Sequence, residues 1–226
     1  MNRHARPLAA TFAATAALLL TACGGTDSKS TSPSTSTDSD KVAGADSGSE
    51  ASASPTASAA VPAASADRPR IELPPDITHA FAPEQTGDPV KDAVLKDNAE
   101  MIRALDAAIV AQNPRLPALE FYTEGEGAVS AERWVKAFTD AGWTVTGTVN
   151  YFDRQVNVSS EDSASLTYCG DESKGFSKVI KTGEVKKTPA SKDSYVAYGV
   201  QVQKNKAGVW ELVKITSTRG ADRCQP

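Results

Sequence analysis

The chain has 226 residues, with 24 Lys and Arg against 28 Asp and Glu, a formal net charge of −4, three Cys and two His. This mildly acidic balance argues against nucleic acid as a partner, because phosphate recognition concentrates Lys and Arg on one face. His4 lies in the N-terminal leader, so His79 is the single histidine of the remainder. That sets aside His-based zinc sites and Ser-His-Asp or Cys-His catalysis.

Arg3, His4 and Arg6 precede an apolar run that ends in Leu18-Leu19-Leu20-Thr21-Ala22-Cys23, and a polar stretch begins at once. This is the layout of an export signal, and the run is shorter than the about 20 apolar residues of a membrane span. Thr21-Ala22 also suits the cut of an ordinary secretory signal. Leu20-Thr21-Ala22-Cys23, however, resembles the lipobox of bacterial lipoproteins. The resemblance implies a signal peptide over 1–22 and a diacylglycerol, with its palmitate-type chains, on Cys23. It also implies a location on the outer side of the cell membrane. Two acyl chains give stable anchoring, at about 0.8 kcal/mol per buried CH2.

From 23 to 70 the chain is dominated by Ser, Thr, Ala, Asp, Gly and Pro, with almost no large aliphatic residue and no aromatic one. Such a segment cannot offset its chain entropy by burial, so a disordered tether is expected, with a mean reach of about 35 to 40 Å. A single domain is expected over 71–226. Pro69, Pro74, Pro75 and Pro83 predict an irregular lead-in that includes His79. Asp88-Pro89 announces a helix, and Val90, Val94, Met101, Leu105, Ala108 and Ile109 recur at helical spacing over Val90 to Gln112. Asp97 and Asn98 interrupt that stripe. Asn98, one turn after Val94, is placed closer to the apolar face, and Asp97 at its solvated rim.

A short helix is expected over Leu116 to Tyr122. A third is expected from Ser130 as N-cap, through Trp134, Val135 and Phe138, to Gly142 in the C′ position. The period then changes to two. Trp143, Val145, Val149 and Tyr151 alternate with polar residues, Val156 with Val158 and Leu166 with Tyr168 mark two more strands, and another follows around Phe176 to Val185 with a bend at Thr182-Gly183. A final hairpin joins Tyr195 to Gln203 with Val209 to Ser217 across a turn at Asn205 to Gly208. Val196, Tyr198, Val200 and Val202 form its more apolar side and should meet the helices. Helices followed by a meandering antiparallel sheet define an α+β class. Cys169 and Cys224 remain as an even pair in an oxidising compartment, which predicts a disulfide.

Three helices before a curved sheet resemble the NTF2-like, cystatin-like cone. Leu166-Thr167-Tyr168-Cys169, Asp171-Glu172-Ser173, Lys181-Thr182-Gly183, Tyr195-Val196-Ala197-Tyr198, Gly208-Val209-Trp210 and Ser217-Thr218-Arg219-Gly220 resemble a set of actinobacterial lipoproteins of unknown function. That resemblance brings no catalytic residue, metal or cofactor. NTF2-like enzymes use an Asp base and Tyr or Asp donors between the long helix and the sheet, which here implies a pocket of Asn98, Met101, Tyr151, Tyr168 and Tyr198. With Asp97 at the rim, the interior is expected to hold no ionisable base. The acidic pairs Glu124 and Glu126, Glu161 and Asp162, and Asp171 and Glu172 lack the alternating ligands of a calcium loop and read as solvated turns.

The expected function is a non-catalytic, lipid-anchored extracytoplasmic domain that binds a ligand or partner. An isomerase, hydratase or cyclase is the first alternative. The second is a surface protein whose lysines, gathered from Lys174 onward, meet anionic lipid headgroups, cell-wall polymers or another envelope protein.

Overall fold

A computed structural model describes residues 67–226. The predicted signal, Cys23 and the tether up to residue 66 lie outside the described residues. The elements run β1 (Ile77–Phe81), α1 (Pro89–Val110), α2 (Pro117–Phe121), α3 (Gly125–Ala141), β2 (Trp143–Val158), β3 (Ser163–Val179), β4 (Val185–Lys186), β5 (Tyr195–Lys204) and β6 (Trp210–Arg219).

Helix α1 starts where its sequence provides a cap. The Asp88 carboxylate accepts the N–H groups of Val90 and Lys91 at 2.9 and 3.1 Å, and Pro89 occupies the first turn, where it needs no hydrogen bond. Helix α3 begins five residues before Ser130, which sits inside the helix with its hydroxyl donating to the Glu126 carbonyl. Ser130 is therefore not the N-cap. The Gly125-Glu126-Gly127 stretch is the first turn instead, because the Glu124 N–H donates to the Leu212 carbonyl and a Cβ on Gly127 would collide with that same carbonyl. The helix can lie this close to β6 only with glycine there. At its other end Gly142 takes the left-handed conformation, with φ 66°, as predicted.

The sheet order is β1-β2-β3-β5-β6, with β4 on β3. All pairs are antiparallel except one: β1 lies parallel to β2, His79 opposite Val149. The sheet is thus mixed, and the lead-in predicted as irregular contributes its edge strand. Predicted separate strands have fused, Trp143 to Val158 into one and Ser163 to Val179 into another. Two register shifts interrupt the β2–β3 ladder: the one between Thr148 and Asn150 puts an extra residue in β3, and the one between Phe152 and Gln155 puts an extra residue in β2, and both bend the pair. The second shift carries Asp153 at φ 49°. A long strand bent in this way wraps around helices packed on one side.

Helices α1 and α3 pack on that side, against β2 and β6. Val94, Leu95, Met101, Ile102, Ala108 and Ile109 of α1 meet Leu166, Val200, Val202, Trp210 and Leu212 in one buried core. Cys169, which points to the opposite face of β3 from Tyr168, bonds to Cys224 with the Cα atoms 5.5 Å apart. The bond fastens the C-terminal turn across the back of the sheet.

Candidate functional site

The concave side of the sheet is not filled. A cavity of about 810 Å3 lies between it and helices α1 and α3. Strand register decides what reaches it. Tyr151, Gly170, Val196 and Arg219 are aligned across four strands, and Tyr168, Tyr198 and Ser217 form the next row. Gly170 is needed in the first row, since a Cβ there would lie 3.1 Å from the Tyr198 ring and 3.6 Å from the Tyr151 ring. Tyr168 and Tyr198 stack with centroids 4.9 Å apart, and Tyr151 stands edge-on to Tyr168 at 5.9 Å.

Polar groups gather on this tyrosine floor. His79 Nε2 lies 2.8 Å from Asp106 Oδ2, with the histidine side chain 2% exposed and the aspartate 17%. The His79 ring is 5.9 Å from that of Tyr151. The Tyr198 hydroxyl donates to Glu172 Oε1 at 2.6 Å, and Arg219 Nη2 donates to Glu172 Oε2 at 2.8 Å. Burial pushes the hydroxyls of Tyr151, Tyr168 and Tyr198 above their ordinary range. The carboxylate of Asp106 adds to this for Tyr151, and that of Glu172 for Tyr198. All three therefore stay protonated donors at neutral pH. The rest of the lining is mixed: Leu105, Trp134, Phe138, Trp143, Val149, Phe176 and Ile215 are apolar, while Ser130, Lys186, Thr188, Ser191 and Asp193 are polar or charged.

Met101, Tyr151, Tyr168 and Tyr198 line the cavity. Asn98 does not. It lies deeper, its Oδ1 accepting from Arg154 Nη2 at 3.2 Å. Arg154 is delivered inward by the second register shift of β2 and is only 3% exposed. It donates to the carbonyls of Pro83 and Leu95, and burial pushes its guanidinium down to about 10.

Three sequence expectations are corrected. Asp97 is not at a solvated rim: it is fully buried, and its carboxylate accepts Arg68 Nε at 2.9 Å, Arg68 Nη2 at 2.8 Å and the Trp210 N–H at 2.9 Å. Arg68, two residues inside the predicted tether, is thereby bound to the core. The interior does hold ionisable groups, since His79, Asp106 and Glu172 line the cavity. Glu172 is no solvated turn, because β3 continues through it, with a bulge at Glu172 and Ser173. A signal existed for Asp106, which falls four residues after Ile102 on the stripe. None existed for His79, whose strand is five residues between proline-rich stretches.

The cavity and its bent sheet define an α+β domain of cone type, with helices laid across the concave face. No family model matches the chain, and no curated protein does. Among solved structures it is similar to a ketosteroid isomerase-like protein from Erwinia carotovora atroseptica. The two share 14% identity over 59% of this chain and 98% of that one, with a TM-score of 0.41. It is also similar to the intermembrane space region of the chloroplast protein ARC6, with 13% identity over 57% of this chain and 97% of that one and a TM-score of 0.37.

Proposed function

We propose that this chain is a lipid-anchored extracytoplasmic domain that binds a small, mainly apolar ligand between α1, α3 and the sheet. The observation that carries the binding half is the cavity of about 810 Å3, in which apolar side chains of α1, α3 and the sheet predominate and hydrogen-bonding groups gather on its floor and elsewhere along its lining, the make-up common to small-molecule sites. The lipobox resemblance at Cys23 supports the anchoring half, and the composition of 23–70 supports a tether between the two.

The test uses 1-anilino-8-naphthalenesulfonate as probe. It should bind saturably with a rise in its fluorescence. Val145→Trp, which fills the cavity from β2, should weaken it about tenfold or more while far-ultraviolet circular dichroism stays unchanged. Undiminished probe binding by a folded Val145→Trp protein refutes the site.

A second reading is favoured by the His79–Asp106 pair. Asp106 can hold the imidazole as a general base while the Tyr151 hydroxyl, whose ring stands beside that of His79, donates, in an enzyme of isomerase, hydratase or cyclase type. Compounds that displace the probe would be followed for chemical conversion. Conversion that His79→Gln abolishes with binding retained supports the enzyme; binding without any conversion returns the protein to the first reading.

A further inference from the structure

Two surface features meet at the mouth of the cavity. Strand β3 continues past it into a short hairpin arm with β4, Ser177 opposite Lys186. From Lys174 to Lys192 the chain carries six lysines and one acid, Glu184. Asp76 neutralises Lys178 at 3.0 Å, and Lys186 lies 5.7 Å over the Trp143 ring, with Glu184 3.8 Å away. Lys174, Lys181, Lys187 and Lys192 are exposed.

Beside these cations stand exposed apolar side chains, Ile180 at the turn of the arm, 49% exposed, and Trp134 on α3, 47% exposed. Both belong to the same end of the molecule. The Ile180 N–H donates to the Gly142 carbonyl, next to Trp143. Trp134, Trp143, Lys186 and Pro189 all line the cavity, and Trp134 and Lys186 are exposed as well. A scattered exposed Ile or Trp is ordinary; a pair at the same end as the cavity and among exposed lysines matches the make-up of a bilayer-facing surface. Trp settles at headgroup depth, an isoleucine leaves water, and lysines are drawn to anionic lipid within a Debye length.

We propose that this rim is a membrane-docking surface that sets the cavity mouth against an anionic lipid bilayer, so that the apolar ligand passes between bilayer and cavity. The idea rests on the cavity being an apolar-ligand site. A phosphate-bearing wall polymer would satisfy the lysines but offers Ile180 and Trp134 no apolar medium, which is why the bilayer is the occupant. If residues 23–66 form the tether their composition predicts, a mean reach of about 35 Å would let the domain turn back to a membrane holding a lipid on Cys23.

The experiment uses the chain from Gly24 onward, which carries no acyl group, and vesicles of phosphatidylcholine with or without about one third phosphatidylglycerol. Sedimentation should show about tenfold more protein on the anionic vesicles, reversed by salt, with a blue shift of tryptophan emission. Lys181→Glu combined with Lys187→Glu should abolish vesicle binding and leave the affinity for the uncharged probe N-phenyl-1-naphthylamine unchanged, which separates a failed surface from a failed cavity. Ile180→Asp should weaken vesicle binding about threefold or more. Equal binding to neutral vesicles, no binding at all, or indifference to the lysine reversal overturns the docking surface. So does binding to a soluble polyphosphate that matches the vesicles in strength and is untouched by Ile180→Asp.

Discussion

Replacing Asp97 by Asn keeps the shape of a fully buried side chain and removes its charge. One carboxylate oxygen holds Arg68 Nε, and the other holds both Arg68 Nη2 and the Trp210 N–H. An amide has a single oxygen, so at least one of these donors meets an NH2 group instead. Breaking a buried ion pair by changing one partner costs about 3 to 5 kcal/mol. The Arg68 side chain keeps 26% exposure and can regain water, which lowers the expected loss to about 2 to 4 kcal/mol. For a domain of this size the melting temperature should fall by roughly 5 to 15 °C. Urea unfolding followed by tryptophan emission measures the loss. Comparison with Arg68→Met and with the double variant should give a coupling above about 1 kcal/mol. If Asp97→Asn shifts stability by less than about 0.5 kcal/mol, as at a surface position, the buried anchor does not exist.

Replacing Cys169 and Cys224 together by Ser opens a loop of 55 residues and should cost about 4 kcal/mol in the chain-entropy account; two free thiols in native protein by mass spectrometry would contradict the bond. Stability should fall above pH 10. The hydroxyls of Tyr151, Tyr168 and Tyr198 titrate higher in the folded state than unfolded, so their contribution is complete below the unfolded value and is lost as pH rises, at about 1.4 kcal/mol per pH unit for each. Arg154, pushed down to about 10, opposes this with the reverse slope. Urea midpoints from pH 9 to 11 should show the fall, and Tyr198→Phe should reduce it by about one proton; an unchanged slope in that variant would count against the buried hydroxyl. Cys23→Ala should end uptake of labelled palmitate, and continued labelling would place any lipid elsewhere.

What could be read from the sequence was whatever depends on near neighbours along the chain. The stripe from Val94 to Ile109 and the cap at Asp88 specify α1 from within. The same holds for Gly142, which ends α3, and for the alternation that turns Val196, Val200 and Val202 inward. The pairing of Cys169 with Cys224 followed from parity and compartment.

The site escaped that reading because its parts come from distant stretches. Asp97 finds Arg68 29 residues before it and the Trp210 N–H 113 residues after it. A carboxylate on an apolar stripe looks solvated until those partners arrive. His79 becomes a cavity residue only because five residues between prolines are captured by β2, beginning with Ile77 opposite Gly147. Capture of this kind is long-range strand pairing, whose hydrogen bonds are main-chain and leave no mark on residue type. Glu172 reaches the floor because β3 continues, with a bulge, where the acidic pair suggested a turn, and Gly170 leaves room for the rings of Tyr151 and Tyr198. Local chemistry thus determined the elements and their inward faces. The cavity, its histidine and the placing of Asp106 and Glu172 in it were decided by register and bulges, which exist only once the strands have met.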